Sequence, residues 1–136
     1  MRIALVVAPA GAGNSLVAHA EAMAKGMGSM GHRVDSLDAR TDDGARLPAY
    51  EYILILSEPV SAFSGKIPEC VARILKNASS LIGKKSGAFL RNSGLFSGKA
   101  MTNLMLAMEK EGMHINWSEQ VGKAEEAGVL SKKIGA

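Results

Sequence analysis

The residues best placed to do chemistry lie near the start of the chain, where an apolar run gives way to Ala10-Gly11-Ala12-Gly13-Asn14-Ser15. Two glycines and no bulky side chain let the backbone approach an anion closely. If a helix begins there, its first N–H groups and the positive end of its dipole point at the same place. Such a turn can cradle a phosphate. Asn14 and Ser15 can add side-chain hydrogen bonds to an anion, or either can cap the helix, and tight strand-to-helix turns also use Gly and Ser for geometry alone. Three sharper motifs are not met. A dinucleotide fingerprint needs a third glycine where Leu16 stands. A nucleoside-triphosphate loop ends in Gly-Lys-Ser or Gly-Lys-Thr, and Gly94-Leu95-Phe96-Ser97-Gly98-Lys99-Ala100 misses both the spacing and the hydroxyl. A phosphoacceptor site needs aspartates at the ends of the first and third strands, where Ala8 and Ser57 stand.

Other reactive residue types read as structural. His19, His32 and His114 show no metal-ligand spacing and no neighbouring nucleophile, and are expected at the surface or an edge. The one cysteine, Cys70, sits in an apolar helical stretch, as a buried thiol does. No disulfide can form within the chain, which fits an intracellular protein. Met101, Met105 and Met108 have helical spacing and fill a core, and Trp117 packs in the core or at an edge.

The elements that must position the turn follow from apolar periodicity. Short segments rich in Val, Ile and Leu alternate with longer segments of helical period, the pattern of a parallel sheet covered on both faces. Strands are predicted at Arg2–Ala8, Arg33–Leu37, Tyr52–Ser57, Ser86–Leu90 and His114–Trp117. Helices are predicted from Asn14 or Ser15 to the cluster Gly28–Gly31, after Pro68, over Gly98–Glu111 with Gly112 beyond its end, and over Lys123–Ile134. Residues 38–48 read as a loop or distorted turns. The short, polar second strand suits an edge, which gives the order 2-1-3-4-5. The loops after strands one, three and four then gather at the carboxyl edge of the sheet, where open α/β folds bind ligands.

Length and composition agree with one domain spanning residues 1–136. At 47% hydrophobic and 21% charged residues the chain can bury a core without metals or bridges. Its net charge of +3 is spread over Lys66, Lys84, Lys85, Arg91, Lys99, Lys132 and Lys133. No basic stripe with stacking aromatics appears, so nucleic acid is not expected as a partner. The apolar run Ile3–Val7 is too short for a secretion signal, and no stretch reaches the roughly 20 apolar residues of a membrane span. A cytoplasmic protein is expected.

Over nearly its whole length the chain resembles the flavodoxins, of the short-chain kind. Ala10-Gly11-Ala12-Gly13-Asn14-Ser15 stands where that family has a Ser/Thr-x-Thr-Gly-Asn-Thr phosphate loop, and Gly13, Asn14 and Ser15 match it. Leu56-Ser57-Glu58-Pro59-Val60-Ser61 resembles the family's Gly-x-Pro-Val-Tyr loop. Asn92-Ser93-Gly94-Leu95-Phe96-Ser97-Gly98-Lys99-Ala100 resembles its Thr-x-Gly-x-x-x-Gly-x-Ala loop, and Glu125–Ile134 its last helix. The resemblance implies a flavodoxin-like three-layer α/β sandwich with a five-stranded parallel sheet. It also implies FMN as cofactor, with its phosphate on Ala10–Ser15. The ring would lie between the loop of Glu58, Pro59, Val60 and Phe63 and the loop of Asn92, Ser93, Gly94 and Phe96.

The function implied is electron transfer or NAD(P)H-dependent flavin reduction, with a redox partner protein or a nicotinamide cofactor and no catalytic side chain. Departures from the pattern keep a second reading open, in which the fold has lost its flavin and serves as a binding or regulatory module. Alanines at positions 10 and 12 remove hydroxyls, each lost hydrogen bond to phosphate costing about 1.5 to 3 kcal/mol. Phe63 and Phe96 could flank the ring or face a partner. Arg91 and Lys99 place positive charge beside the expected ring, which would favour the reduced, anionic flavin and a partner with an acidic face.

Overall fold

The computed structural model describes residues 1–92, 94 and 96–135. Five strands form one parallel sheet: β1 (Arg2–Ala8), β2 (Arg33–Asp38), β3 (Tyr52–Ser57), β4 (Lys85–Arg91) and β5 (His114–Val121), in the order β2-β1-β3-β4-β5. Four helices connect and cover them: α1 (Val17–Ser29), α2 (Glu69–Asn77), α3 (Ser97–Lys110) and α4 (Ala124–Ser131). A 3-10 turn at Leu47–Ala49 is the only regular structure in the loop before β3.

The position of each strand follows from its burial. All six residues of β3 are buried, and β1 is buried from Ile3 to Val6, as central strands covered on two faces must be. Alternate side chains serve opposite cores. Ala4, Val6, Ile53, Ile55, Ala88 and Leu90 join α2 and α3 on one face, while Ile3, Leu5, Leu54, Leu56 and Phe89 join α1 and α4 on the other. Strand β2 at the edge buries only Leu37.

Most boundaries fall within a residue of the sequence reading, α4 ends at Ser131 rather than Ile134, and β5 and α1 differ for identifiable reasons. Strand β5 runs four residues beyond Trp117, because its alternately half-buried residues continue a period of two after the apolar run ends. Its pairing with β4 slips between Ser86 and Gly87, which places Asn116 in a bulge. There the Asn116 amide oxygen accepts the Tyr52 hydroxyl at 2.6 Å. Helix α1 starts later than expected and neither Asn14 nor Ser15 caps it. The cap position is Leu16, without a side-chain cap, and its Cβ-side packing into the core dictates where the helix turns in.

Some side chains expected at the surface or in the core are placed otherwise. His19 is buried, with Nε2 against the carbonyl oxygen of Gly122, the residue after β5, at 2.9 Å. Met105 is only half-buried, on the rim of the α3 core face. Cys70 is likewise half-buried, and burial pushes its thiol above the ordinary value.

Candidate functional site

The βα turn 10–15 lies at the carboxyl edge, between the segments that follow β2, β3 and β4. Register explains what meets there. Ala8 pairs with Ser57 and Ser57 with Leu90, so residues 9–10, Glu58 and Arg91 emerge side by side from three adjacent strands. They enclose a cleft of about 470 Å³, lined by Ala10, Gly11, Gly13, Asn14 and Ser15 from the turn, the segment Glu58 to Ala62, and Arg91.

Glu58 is the centre of this site. Its side chain is almost wholly buried, at 2% exposure. Oε2 accepts the Ala10 N–H at 2.8 Å and the Ser15 hydroxyl. Oε1 accepts both Arg91 Nε at 3.0 Å and Nη2 at 2.5 Å, two charge-assisted hydrogen bonds on one oxygen. Burial by itself would raise the carboxyl pKa. The hydrogen bonds from Ser15 and Ala10 and the Arg91 charge outweigh it, so Glu58 titrates below its ordinary value and is ionised at neutral pH.

The rest of the turn keeps its donors. Among the described residues, no protein acceptor stands against the backbone N–H of Gly11, Ala12, Gly13 or Asn14. A Cβ at Gly11 or Gly13 would meet nothing within 4 Å, and neither glycine has a positive φ. Their value is open space over the cleft rather than permission for the turn.

Arg40 holds the turn from behind. Nη1 donates to the carbonyl oxygens of Gly11 and Gly13, both at 2.9 Å, while Nη2 pairs with Asp38 Oδ2 at 2.8 Å. That side-chain hydrogen bonding also keeps Asp38 below its ordinary pKa. Replacing Arg40 with alanine is expected to speed amide hydrogen exchange across residues 10–16 while β3 is unchanged; equal exchange in variant and parent would remove Arg40 from this role.

The expected site residues are therefore only partly brought together. Ala10, Gly11, Gly13, Asn14, Ser15, Glu58, Pro59 and Val60 line the cleft, while Ala12 sits exposed at the turn's tip. Phe63 is 86% exposed and Phe96 41% exposed, both outside the cleft lining. The Asn92 N–H donates to the Val121 carbonyl at 2.7 Å, which ties the loop after β4 to β5. Gly94, at φ +139°, brings this loop against Ala62: a Cβ there would stand 3.0 Å from the Ala62 carbonyl oxygen. Ser93 lies outside the described residues. The positive charge expected from Arg91 is corrected by the structure. Arg91 spends its charge on Glu58, and exposed Lys99 lays its aliphatic stem on Gly65.

Sequence reasoning missed Arg40 and the Glu58–Arg91 pair. The spacing Asp38-x-Arg40 at a strand end is a local signal for the first. The second appears only once β3 and β4 are placed in register.

No protein-family model matches the chain, and no curated protein sequence matches it. Solved structures do. Two-electron reduced flavodoxin from Megasphaera elsdenii superimposes with a TM-score of 0.70 at 16% identity, over 96% of this chain and 98% of that one. Oxidised flavodoxin 1 from Bacillus cereus gives 0.71 at 15% identity, over 99% and 95%. A short-chain flavodoxin associated with a bacterial microcompartment gives 0.72 at 14% identity, over 96% and 95%. With its strand order and these likenesses, the chain has the flavodoxin-like α/β fold.

Proposed function

We propose that this chain is a cytoplasmic redox protein that binds FMN noncovalently at the carboxyl edge of its sheet and exchanges electrons with a partner protein or a nicotinamide cofactor. The observation that carries the reading is the set of backbone N–H groups from Gly11 to Asn14, which have no acceptor among the described residues and stand beside an open cleft. Donors of this kind suit a phosphate, and the open positions at Gly11 and Gly13 let it approach. The residues present fit the group. Gly11 to Ser15 would hold its phosphate, and Pro59, Val60 and Gly94 would offer the ring a lining without bulk. Phe63 and Phe96 would have to fold in over it from their exposed positions. Bound FMN supplies reversible electron uptake, and the protein contributes placement and electrostatics.

Adding FMN to the purified protein tests this, with the flavin absorption band and fluorescence quenching as readouts. Saturable one-to-one binding is expected. Gly13→Val should weaken it by at least about tenfold, since a branched side chain would fill the approach to the N–H groups. The fold should tolerate this change, because nothing lies within 4 Å of a Cβ there. Equal affinity in variant and parent would place the phosphate elsewhere.

One observation favours the alternative of a flavin-free binding or regulatory module. Glu58 already occupies the Ala10 and Ser15 donors. Absence of binding by FMN and riboflavin at millimolar concentration would decide for that reading.

A further inference from the structure

We propose that the Glu58 carboxylate is an internal stand-in for a ligand phosphate, and that a phosphate monoester binds by replacing it on Ala10, Ser15 and Arg91. The exchange rests on the cleft being the ligand site argued above, but it concerns the phosphate alone. The geometry is that of an oxyanion site already filled. One buried carboxylate takes two donors from the turn and two from a guanidinium. Guanidinium and turn N–H groups donate to phosphate oxygens as they do to a carboxylate. A phosphate seated there would extend its remaining oxygens toward the N–H groups of Gly11 to Asn14, which the shorter carboxylate leaves without acceptors among the described residues.

Both anions cannot occupy the site. Two like charges a few ångströms apart inside a partly desolvated cleft repel strongly, and the Ala10, Ser15 and Arg91 donors are already held by the first. Glu58 has a way out, because it begins the loop after β3, which passes through buried Pro59 and becomes exposed at Val60 and Ser61 at the mouth of the cleft. Once it has moved, Arg91 becomes the phosphate's counter-ion. The pair therefore selects for a ligand charged enough to win the exchange: a phosphate monoester rather than an uncharged ring or nucleoside.

Titration calorimetry with inorganic phosphate, FMN and riboflavin against the parent, Glu58→Gln and the double variant Glu58→Gln, Arg91→Gln tests the exchange. The isosteric amide keeps an acceptor for Ala10 and Ser15 but removes the competing charge. Phosphate and FMN are expected to bind Glu58→Gln on the order of tenfold tighter than the parent, with riboflavin unchanged, and the double variant should lose the gain. Unchanged or weaker phosphate binding by folded Glu58→Gln would overturn the proposal. Should that variant fail to fold, the Arg91 Nε–H resonance of the parent serves instead: it should shift as inorganic phosphate saturates the protein, and a fixed resonance overturns the exchange. If FMN binds no variant while phosphate gains on Glu58→Gln, the flavin reading fails and the exchange stands. If FMN binds parent and Glu58→Gln equally, the flavin reading stands and the exchange fails.

Discussion

Replacing Arg91 with alanine is expected to destabilise the protein by about 3 kcal/mol at neutral pH, toward the low end for breaking a buried pair because the guanidinium is itself partly exposed. The cost comes from what remains. Glu58 stays ionised, almost fully buried, with one oxygen stripped of both guanidinium donors. The pH dependence follows from the direction of the Glu58 shift. A carboxyl held below its ordinary value of 4.5 contributes stability that is present above that pH and lost as pH falls through the folded-state value. Without Arg91 the folded-state pKa rises, since burial is then opposed only by the hydrogen bonds from Ser15 and Ala10. The deficit of the variant should therefore be greatest near neutrality and shrink as pH falls through the folded-state value of the parent's Glu58, below which both proteins carry it neutral. Urea unfolding of parent and variant at pH 7 and at an acid pH low enough to protonate Glu58 in both measures this. A deficit that is constant across the two would show that Arg91 stabilises by packing rather than by charge.

A second large effect is expected at a residue remote from the cleft. Gly26 lies in α1 where α4 crosses it, and the helices meet almost backbone to backbone. A Cβ at position 26 would collide with the Gly128 carbonyl oxygen and stand 2.6 Å from Ser131 Oγ. Ser131 is fully buried and its one hydroxyl proton lies between the carbonyl oxygens of Gly128, at 2.8 Å from Oγ, and Met23, at 3.3 Å, so it cannot simply turn away. At an ordinary helical position Gly→Ala stabilises by up to about 1 kcal/mol. Gly26→Ala is expected instead to cost about 2 to 3 kcal/mol, because α4 must shift off the sheet to admit the methyl group. Gly28, one turn-half away in the same helix, has nothing within 4 Å of a Cβ, so Gly28→Ala is expected to be neutral or mildly stabilising. The sign should reverse between two positions of one helix. Thermal melts of the two variants compare them directly, and a Gly26→Ala midpoint at or above the parent's would mean that the helices separate without cost.

Both effects rest on features of different legibility. The strand order could be read from residue types, because a strand covered on both faces must be apolar throughout and only an edge tolerates the polar Arg33-Val34-Asp35-Ser36. The location of the cleft followed from that order. Its contents did not follow. Glu58 was legible as a residue of the loop after β3, beside a matching Pro59-Val60, yet its role depends on Ser57 and Leu90 being in register across two strands more than thirty residues apart. Gly26 gave no local signal at all, since a glycine inside a helix is unfavourable by propensity and only a second helix explains it.

The sequence by itself determined the alternation of elements, the central and edge strands, and a glycine turn free of bulk at the head of α1. These are consequences of solvent: each segment's pattern of apolar residues states which faces must leave water, and a parallel sheet with two covered faces is the arrangement that satisfies all of them. Only the tertiary structure decided that the turn's Ala10 and Ser15 meet a buried carboxylate, that Arg91 and Arg40 are both committed to acidic partners, and that α1 and α4 touch through glycines. Those outcomes depend on distances of a few ångströms between residues distant in the chain. Hydrogen bonding, charge pairing and steric contact act only at that range, and they leave no periodicity for a sequence to display.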